Sequence, residues 1–282
     1  MDGMPLSPKA RWVTSQRCEP FRQVFLDAQE GNAKSWNEVE ESFVGAMSAF
    51  DASIAASVGE NMTDEEKTQL SADLQNGKGD FFNDLLALLL QNCAGIDILS
   101  TRRKVPGLMV ETHNLDGVYP DEGPIKFMIE AKMMGTPRHI NSPKQKPAGR
   151  PGSADIDKRV KELGFKCIDL KGEYSRLRTI EGASPAAGGP GGGDLTTWLH
   201  ALDPKIYFFL AVRVVNDKDF ERTVKWAQTA AQVLDAVGLF CFEPVDKAFT
   251  TYRQRSDVPT NLQLERVLYR ACTDLASLVP PS

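Results

Sequence analysis

Three places in this 282-residue chain set an acidic residue, thirteen intervening positions and then acid-x-lysine. They are Asp51/Glu65/Lys67, Asp116/Glu130/Lys132 and Asp155/Asp169/Lys171. Two carboxylates brought together offer hard oxygen ligands of the kind magnesium accepts, because that ion needs few protein groups and keeps several waters. An ammonium beside them orients or activates an attacking water and offsets charge in a phosphorane-like transition state. Since the spacing occurs three times, spacing selects none of the three. The element on which each lies does.

The first triplet falls in an acidic helical stretch. Val39, Phe43, Met47 and Phe50 recur at the period of one helix face. Thr63, with Glu66 three residues on, is the signature of a capping box opening a further helix. The third lies along an amphipathic helix whose apolar stripe runs Ile156, Val160, Leu163, Cys167, Leu170, Tyr174 and Leu177, with Ser153 as its expected cap. Over the interval from Asp155 to Asp169 such a helix rises roughly 21 Å, which keeps those carboxylates apart. Only the second triplet spans a turn between two strands. Leu108–Tyr119 and Ile125–Met134 read as strands around the turn Pro120–Pro124. In the later strand Phe127, Ile129 and Ala131 share one face, and Lys126, Met128, Glu130 and Lys132 share the other. Asp116 and Glu130 can therefore converge on one sheet face, where the Ala131 carbonyl supplies another oxygen.

The surrounding elements have to position that hairpin. Gly77-Lys78-Gly79 reads as a break between an N-terminal helical region, residues 1–76, and a domain over 77–282. An apolar helix, Asp80–Cys93, precedes the hairpin, and a Pro/Lys/Gly-rich loop over 135–152 follows it. After the long helix come a glycine loop over 182–193, a buried-type strand Ile206–Val215, an amphipathic helix Phe220–Val237, a short strand Leu239–Phe242 and a last helix Leu262–Leu278. The glycine loop lacks the Lys-Ser/Thr ending of a phosphate-binding P-loop. The fold class that follows is α/β, with a central mixed sheet flanked by helices and an N-terminal helical region.

Composition narrows the function classes. No apolar run approaches the roughly 20 residues of a membrane span, and the N-terminus lacks the basic-then-apolar order of a signal peptide, so no membrane partner is expected. The five cysteines are scattered without a C-x-x-C pair, and only three histidines are present, which argues against a structural zinc site. The cysteines are expected to be reduced thiols in a cytoplasmic protein. Net charge is −5, yet between Ala131 and Arg178 twelve Lys/Arg face only five acids. Phosphate binding needs local cationic surface, not a basic protein overall.

In this context Leu115-Asp116 and Glu130-Ala131-Lys132 resemble the paired elements of the PD-(D/E)XK nuclease superfamily, over residues 78–245. Leu115 stands where the motif has proline, a position with no chemical role. The resemblance implies a restriction-endonuclease-like core with Asp116, Glu130 and Lys132 as catalytic residues. It also implies Mg²⁺ held by Asp116, Glu130 and the Ala131 carbonyl, assisted by Asp84 or Asp80 from the preceding helix. Size and layout are similar to a type II restriction endonuclease. Such an enzyme is a homodimer that cuts double-stranded DNA to 5′-phosphate and 3′-hydroxyl ends and works beside a cognate DNA methyltransferase. DNA contacts are then expected from Arg138, His139, Lys144, Lys146 and Arg150 in the loop, from Lys158, Arg159, Lys161 and Lys166 on the helix, and from His113. An HNH-like site at His113-Asn114 lacks a second histidine at the expected position. Two other functions fit the residues: a repair or modification-dependent nuclease of the same superfamily, and a non-catalytic DNA-binding protein using the basic loop and helix.

Overall fold

Alternation along three long strands decides the architecture. The structure, a computed structural model, describes residues 18–57, 62–96, 100–101, 103–137, 149–182, 194–246 and 250–279. In chain order these form α1 (Glu19–Glu30), α2 (Glu40–Ser57), α3 (Asp64–Ala94), β1 (Ser100–Thr101), β2 (Lys104–Val105), β3 (His113–Asn114), β4 (Gly117–Tyr119) and β5 (Phe127–Met134). They continue with α4 (Ile156–Ile180), α5 (Leu195–Ala201), β6 (Lys205–Arg213), α6 (Asp217–Ala230), β7 (Ala236–Pro244), β8 (Tyr252–Gln254) and α7 (Leu264–Ser277).

One six-stranded mixed sheet has the order β1-β4-β5-β6-β7-β8. Its middle strands β5, β6 and β7 are parallel, while β4 pairs antiparallel with β5, and β8 with β7. Parallel neighbours need long crossovers; α4 and α5 make the first, and α6 makes the second. Phe127, Ile129 and Ala131 of β5, Tyr207 and Phe209 of β6, and Phe240 and Phe242 of β7 enter one core, shared with α1, α2, α3 and α7. Met128, Phe208, Leu210, Val237 and Leu239 enter a second core, under α4, α5 and α6. The fold is thus α/β, with helices on both faces of a mixed sheet. No described helix is long and apolar enough to cross a membrane.

Several expectations are corrected. The chain does not break at Gly77-Lys78-Gly79, because α3 runs through it, and a boundary between residues 76 and 77 would fall inside that helix. Two glycines cost about 1 kcal/mol each in a helix interior. They are outweighed by the Thr63/Glu66 capping box and by the buried ion pair of Lys78 with Asp51. The stretch Leu108–Tyr119 is not one strand; β3 and β4 belong to different sheets. Ser153 does not cap α4. It is buried in a short 3₁₀ turn, Gly152–Asp155, where its N–H donates to Asp219 Oδ1 at 2.9 Å.

The cysteines are not all thiols: Cys93 on α3 and Cys272 on α7 form a disulfide, with Cα atoms 6.0 Å apart and a sequence separation of 179. Nothing in their sequence spacing could show that two helices on one sheet face bring them together. Cys18, Cys167 and Cys241 are free and buried. Burial pushes the Cys167 thiol up to about 12, which leaves it unreactive at neutral pH.

Asp51, Lys78, Arg213 and Tyr252 form a buried polar network between α2, α3, β6 and β8. Lys78 Nζ donates to Asp51 Oδ1, Tyr252 Oη donates to Asp51 Oδ2 at 2.6 Å, and Arg213 Nε donates to Tyr252 Oη at 3.1 Å. Removing one member leaves a charge buried without its counter-ion. Lys78→Met is expected to destabilise the fold by about 3–5 kcal/mol in urea unfolding; a loss below about 1 kcal/mol would contradict the ion pair.

Candidate active site

The β4–β5 register fixes the site. Gly117 pairs with Ile129 as the last rung of the antiparallel ladder, and Asp116, just before β4, lies close to Glu130 at that end. Like charges brought together in this way are destabilising. The second face of β5, predicted to hold Met128, Glu130 and Lys132, is the face that α4 covers, with Met128 in the core beneath it. Glu130 is consequently buried, its side chain 4% exposed, whereas Asp116 and Lys132 keep 29% and 35%. An exposed hairpin with a surface ion pair is therefore not what forms.

Two ammonium groups answer the two carboxylates. Lys132 Nζ donates to Asp116 Oδ2 at 2.7 Å, to Glu130 Oε2 at 3.4 Å and to the Ala131 carbonyl at 3.0 Å. Lys166, on α4, donates to Glu130 Oε1 at 2.5 Å and to the Asn114 carbonyl at 2.9 Å. Asp116 is held further by the Ala131 N–H, which donates to its Oδ2 at 2.9 Å. Asn83 of α3 donates to the Asp116 carbonyl at 3.1 Å. Burial first, and the Asp116 charge second, raise the Glu130 carboxyl from its ordinary value, while the Lys132 and Lys166 ammoniums pull it down. On Lys132 burial favours the neutral amine, but Asp116 and Glu130 outweigh it and the net shift is upward.

A rigid loop flanks this cluster. His113 is buried and its Nε2 lies 2.7 Å from Asp169 Oδ2, so its imidazole is engaged with α4. Asp169 Oδ1 accepts the Met109 N–H at 2.6 Å, which ties the loop before β3 to α4 one turn beyond Lys166.

Of the residues named from sequence, Asp116, Glu130, Ala131 and Lys132 come together as expected. Lys166 does not stand on the open face of α4 with the other basic residues; it turns into the site. Among the described residues no three His, Cys, Asp or Glu side chains gather as a ligand set. Asp84 is buried on α3 beside Asn83, the residue that reaches Asp116. Arg150, Lys158, Arg159 and Lys161 are exposed and pair with Asp155, Glu162, Glu162 and Asp157 respectively. Such surface pairs contribute at most about 1 kcal/mol and exchange readily for phosphates. Arg150 and Arg159 also line a cleft of about 300 Å³ with Gly135 and Thr136, at the C-terminal end of β5. Arg138, His139, Lys144 and Lys146 lie outside the described residues.

Sequence reasoning missed Asn83, Asp169 and the role of Lys166. One signal for Lys166 was present: it lies three residues after Leu163 and four before Leu170, on the flank of the buried stripe. No family model, no curated protein and no solved structure matches the chain.

Gly107 sits so close to the His113–Asp169 pair that an added Cβ would lie 2.0 Å from Asp169 Oδ2 and 2.8 Å from His113 Nε2. Gly107→Ala is therefore expected to destabilise the protein by about 1–3 kcal/mol. It should also accelerate hydrogen exchange at the Met109 amide. Unchanged exchange at that amide would mean the loop is not held through Asp169.

Proposed function

We propose that the chain is a Mg²⁺-dependent endonuclease of double-stranded DNA, with a restriction-endonuclease-like core and Asp116, Glu130 and Lys132 as its catalytic residues. The observation that supports this best is two carboxylates brought together at a partly buried point, where burial and the Asp116 charge raise the Glu130 carboxyl. Three oxygens, from Asp116, Glu130 and Ala131, already surround a cationic group, the Lys132 ammonium. That donor set suits a hard divalent ion, so the residues fit magnesium. When bound, the ion would polarise a phosphoryl oxygen and make water a better nucleophile.

The chain's own residues do the rest. Asp116 and Glu130 would hold the ion, and the Ala131 N–H fixes the orientation of the Asp116 carboxylate. The Lys132 ammonium orients the attacking water and offsets charge on the reacting phosphate. Exposed Arg150, Lys158, Arg159 and Lys161 contact phosphates and set the duplex against the site. The reading extends to a type II restriction enzyme: a homodimer that leaves 5′-phosphate and 3′-hydroxyl ends, paired with a DNA methyltransferase. One observation favours a second reading, a non-catalytic DNA-binding protein. Both carboxylates are already satisfied by lysines, as in a purely structural ion cluster.

Glu130→Gln keeps the shape of the side chain and removes its charge. On plasmid DNA with Mg²⁺ it is expected to lower the cleavage rate by at least about a hundredfold. Full cleavage by the variant would overturn the catalytic role of Glu130, and salt-sensitive binding without cleavage by the wild type would sink the nuclease reading and support the second one. Parallel digestion of methylated and unmethylated plasmid separates a restriction enzyme, which gives discrete bands on unmethylated DNA, from a modification-dependent or repair nuclease.

A further inference from the structure

The two lysines of the site are not equivalent. Lys132 Nζ touches Asp116 Oδ2, Glu130 Oε2 and the Ala131 carbonyl, the same three oxygens that a metal would use. Lys166 Nζ touches none of them. It takes the other oxygen of Glu130, Oε1, and the Asn114 carbonyl. Exposure differs in the same sense, 35% for the Lys132 side chain against 19% for Lys166. Lys132 stands on a flexible four-carbon stem with solvent beside it, whereas Lys166 is wedged between α4 and the sheet.

We propose that the Lys132 ammonium is a resident cation that a divalent metal must displace, while Lys166 stays in place and holds Glu130 through the exchange. This rests on the metal-binding reading of the site given above. Three oxygens cannot close around a metal while an ammonium sits among them, because two cations in one oxygen cage repel strongly. The resident ammonium explains how two neighbouring carboxylates are tolerated before any metal arrives. A metal held there would leave Lys132, whose side chain is 35% exposed, free to turn toward solvent. Loading the site and deploying its lysine become one event. The lysine that serves hydrolysis is therefore also a competitor of the metal, and removing it has opposite effects on the two functions.

The test is a calorimetric titration of MnCl₂ alone into wild type, Lys132→Met, Lys132→Gln and Lys166→Met, at fixed pH and low salt, with thermal melts to verify folding. Both Lys132 variants are expected to bind Mn²⁺ on the order of tenfold more tightly than wild type. Lys166→Met is expected to show no gain, because the charge it removes is offset by a Glu130 side chain no longer held. Equal or weaker binding by both Lys132 variants would overturn displacement. An equal gain in Lys166→Met would overturn it too, because it would show that only total charge matters. Tighter binding by the Lys132 variants in a wild-type protein that leaves DNA intact would uphold displacement and remove the nuclease reading. Absence of Mn²⁺ binding in all four proteins would remove both.

Discussion

Asp116, just before β4, and Glu130 of β5 share the Lys132 ammonium, and the surrounding structure offsets the repulsion between their charges. Neighbouring like charges cost stability, and burial of Glu130 beneath α4 increases the cost. Four groups hold the pair. Lys132 and the Ala131 N–H come from β5 and Lys166 from the helix above, while Asn83, from the helix on the other side of the hairpin, holds the Asp116 backbone carbonyl. These contributions come from three elements, β5, α4 and α3, each of which has to be in its correct place. The sheet order, the α4 crossover and the long α3 helix are therefore all needed to assemble one small cluster.

The distal parts of the fold serve the same end. Asn83 lies five residues after Lys78 on α3, and Lys78 is anchored by Asp51 in the buried network that also holds Arg213 and Tyr252. The Cys93–Cys272 bond fastens the end of α3 to α7. On the opposite face, α4 is fixed at its middle by Asp169 with His113 and, two residues further on, by Lys171. That buried side chain donates to Asp235 at 3.1 Å. Lys166 is thus presented from a helix immobilised immediately beyond it. Glu130 and Lys132 stand on β5 and Lys166 on α4, while Asp116 lies in the short connection before β4, so three of the four charged groups are carried by regular elements.

What could be read in the sequence were the features with a short repeat. The alternation of Phe127, Ile129 and Ala131 against Met128, Glu130 and Lys132 gave the correct faces of β5, because period-2 geometry is local. The stripe from Ile156 to Leu170 gave the buried side of α4 for the same reason. What could not be read were contacts whose partners are far apart in sequence, such as Lys166 with Glu130, Asn83 with Asp116 and Cys93 with Cys272. The break expected at Gly77-Lys78-Gly79 failed because tertiary anchoring of Lys78 overrode local propensity. His113 looked available to a ligand only because its partner Asp169 lies fifty-six residues away.

The measurement that bears most directly on this cluster is end-sequencing of phage DNA incubated with the purified wild-type protein, in Mg²⁺ and in excess chelator. If Asp116 and Glu130 are brought together in order to hold a metal for phosphodiester hydrolysis, cuts should recur at defined positions with 5′-phosphate ends in Mg²⁺ and disappear in chelator. DNA that stays intact in Mg²⁺, or is cut equally in chelator, would contradict that role.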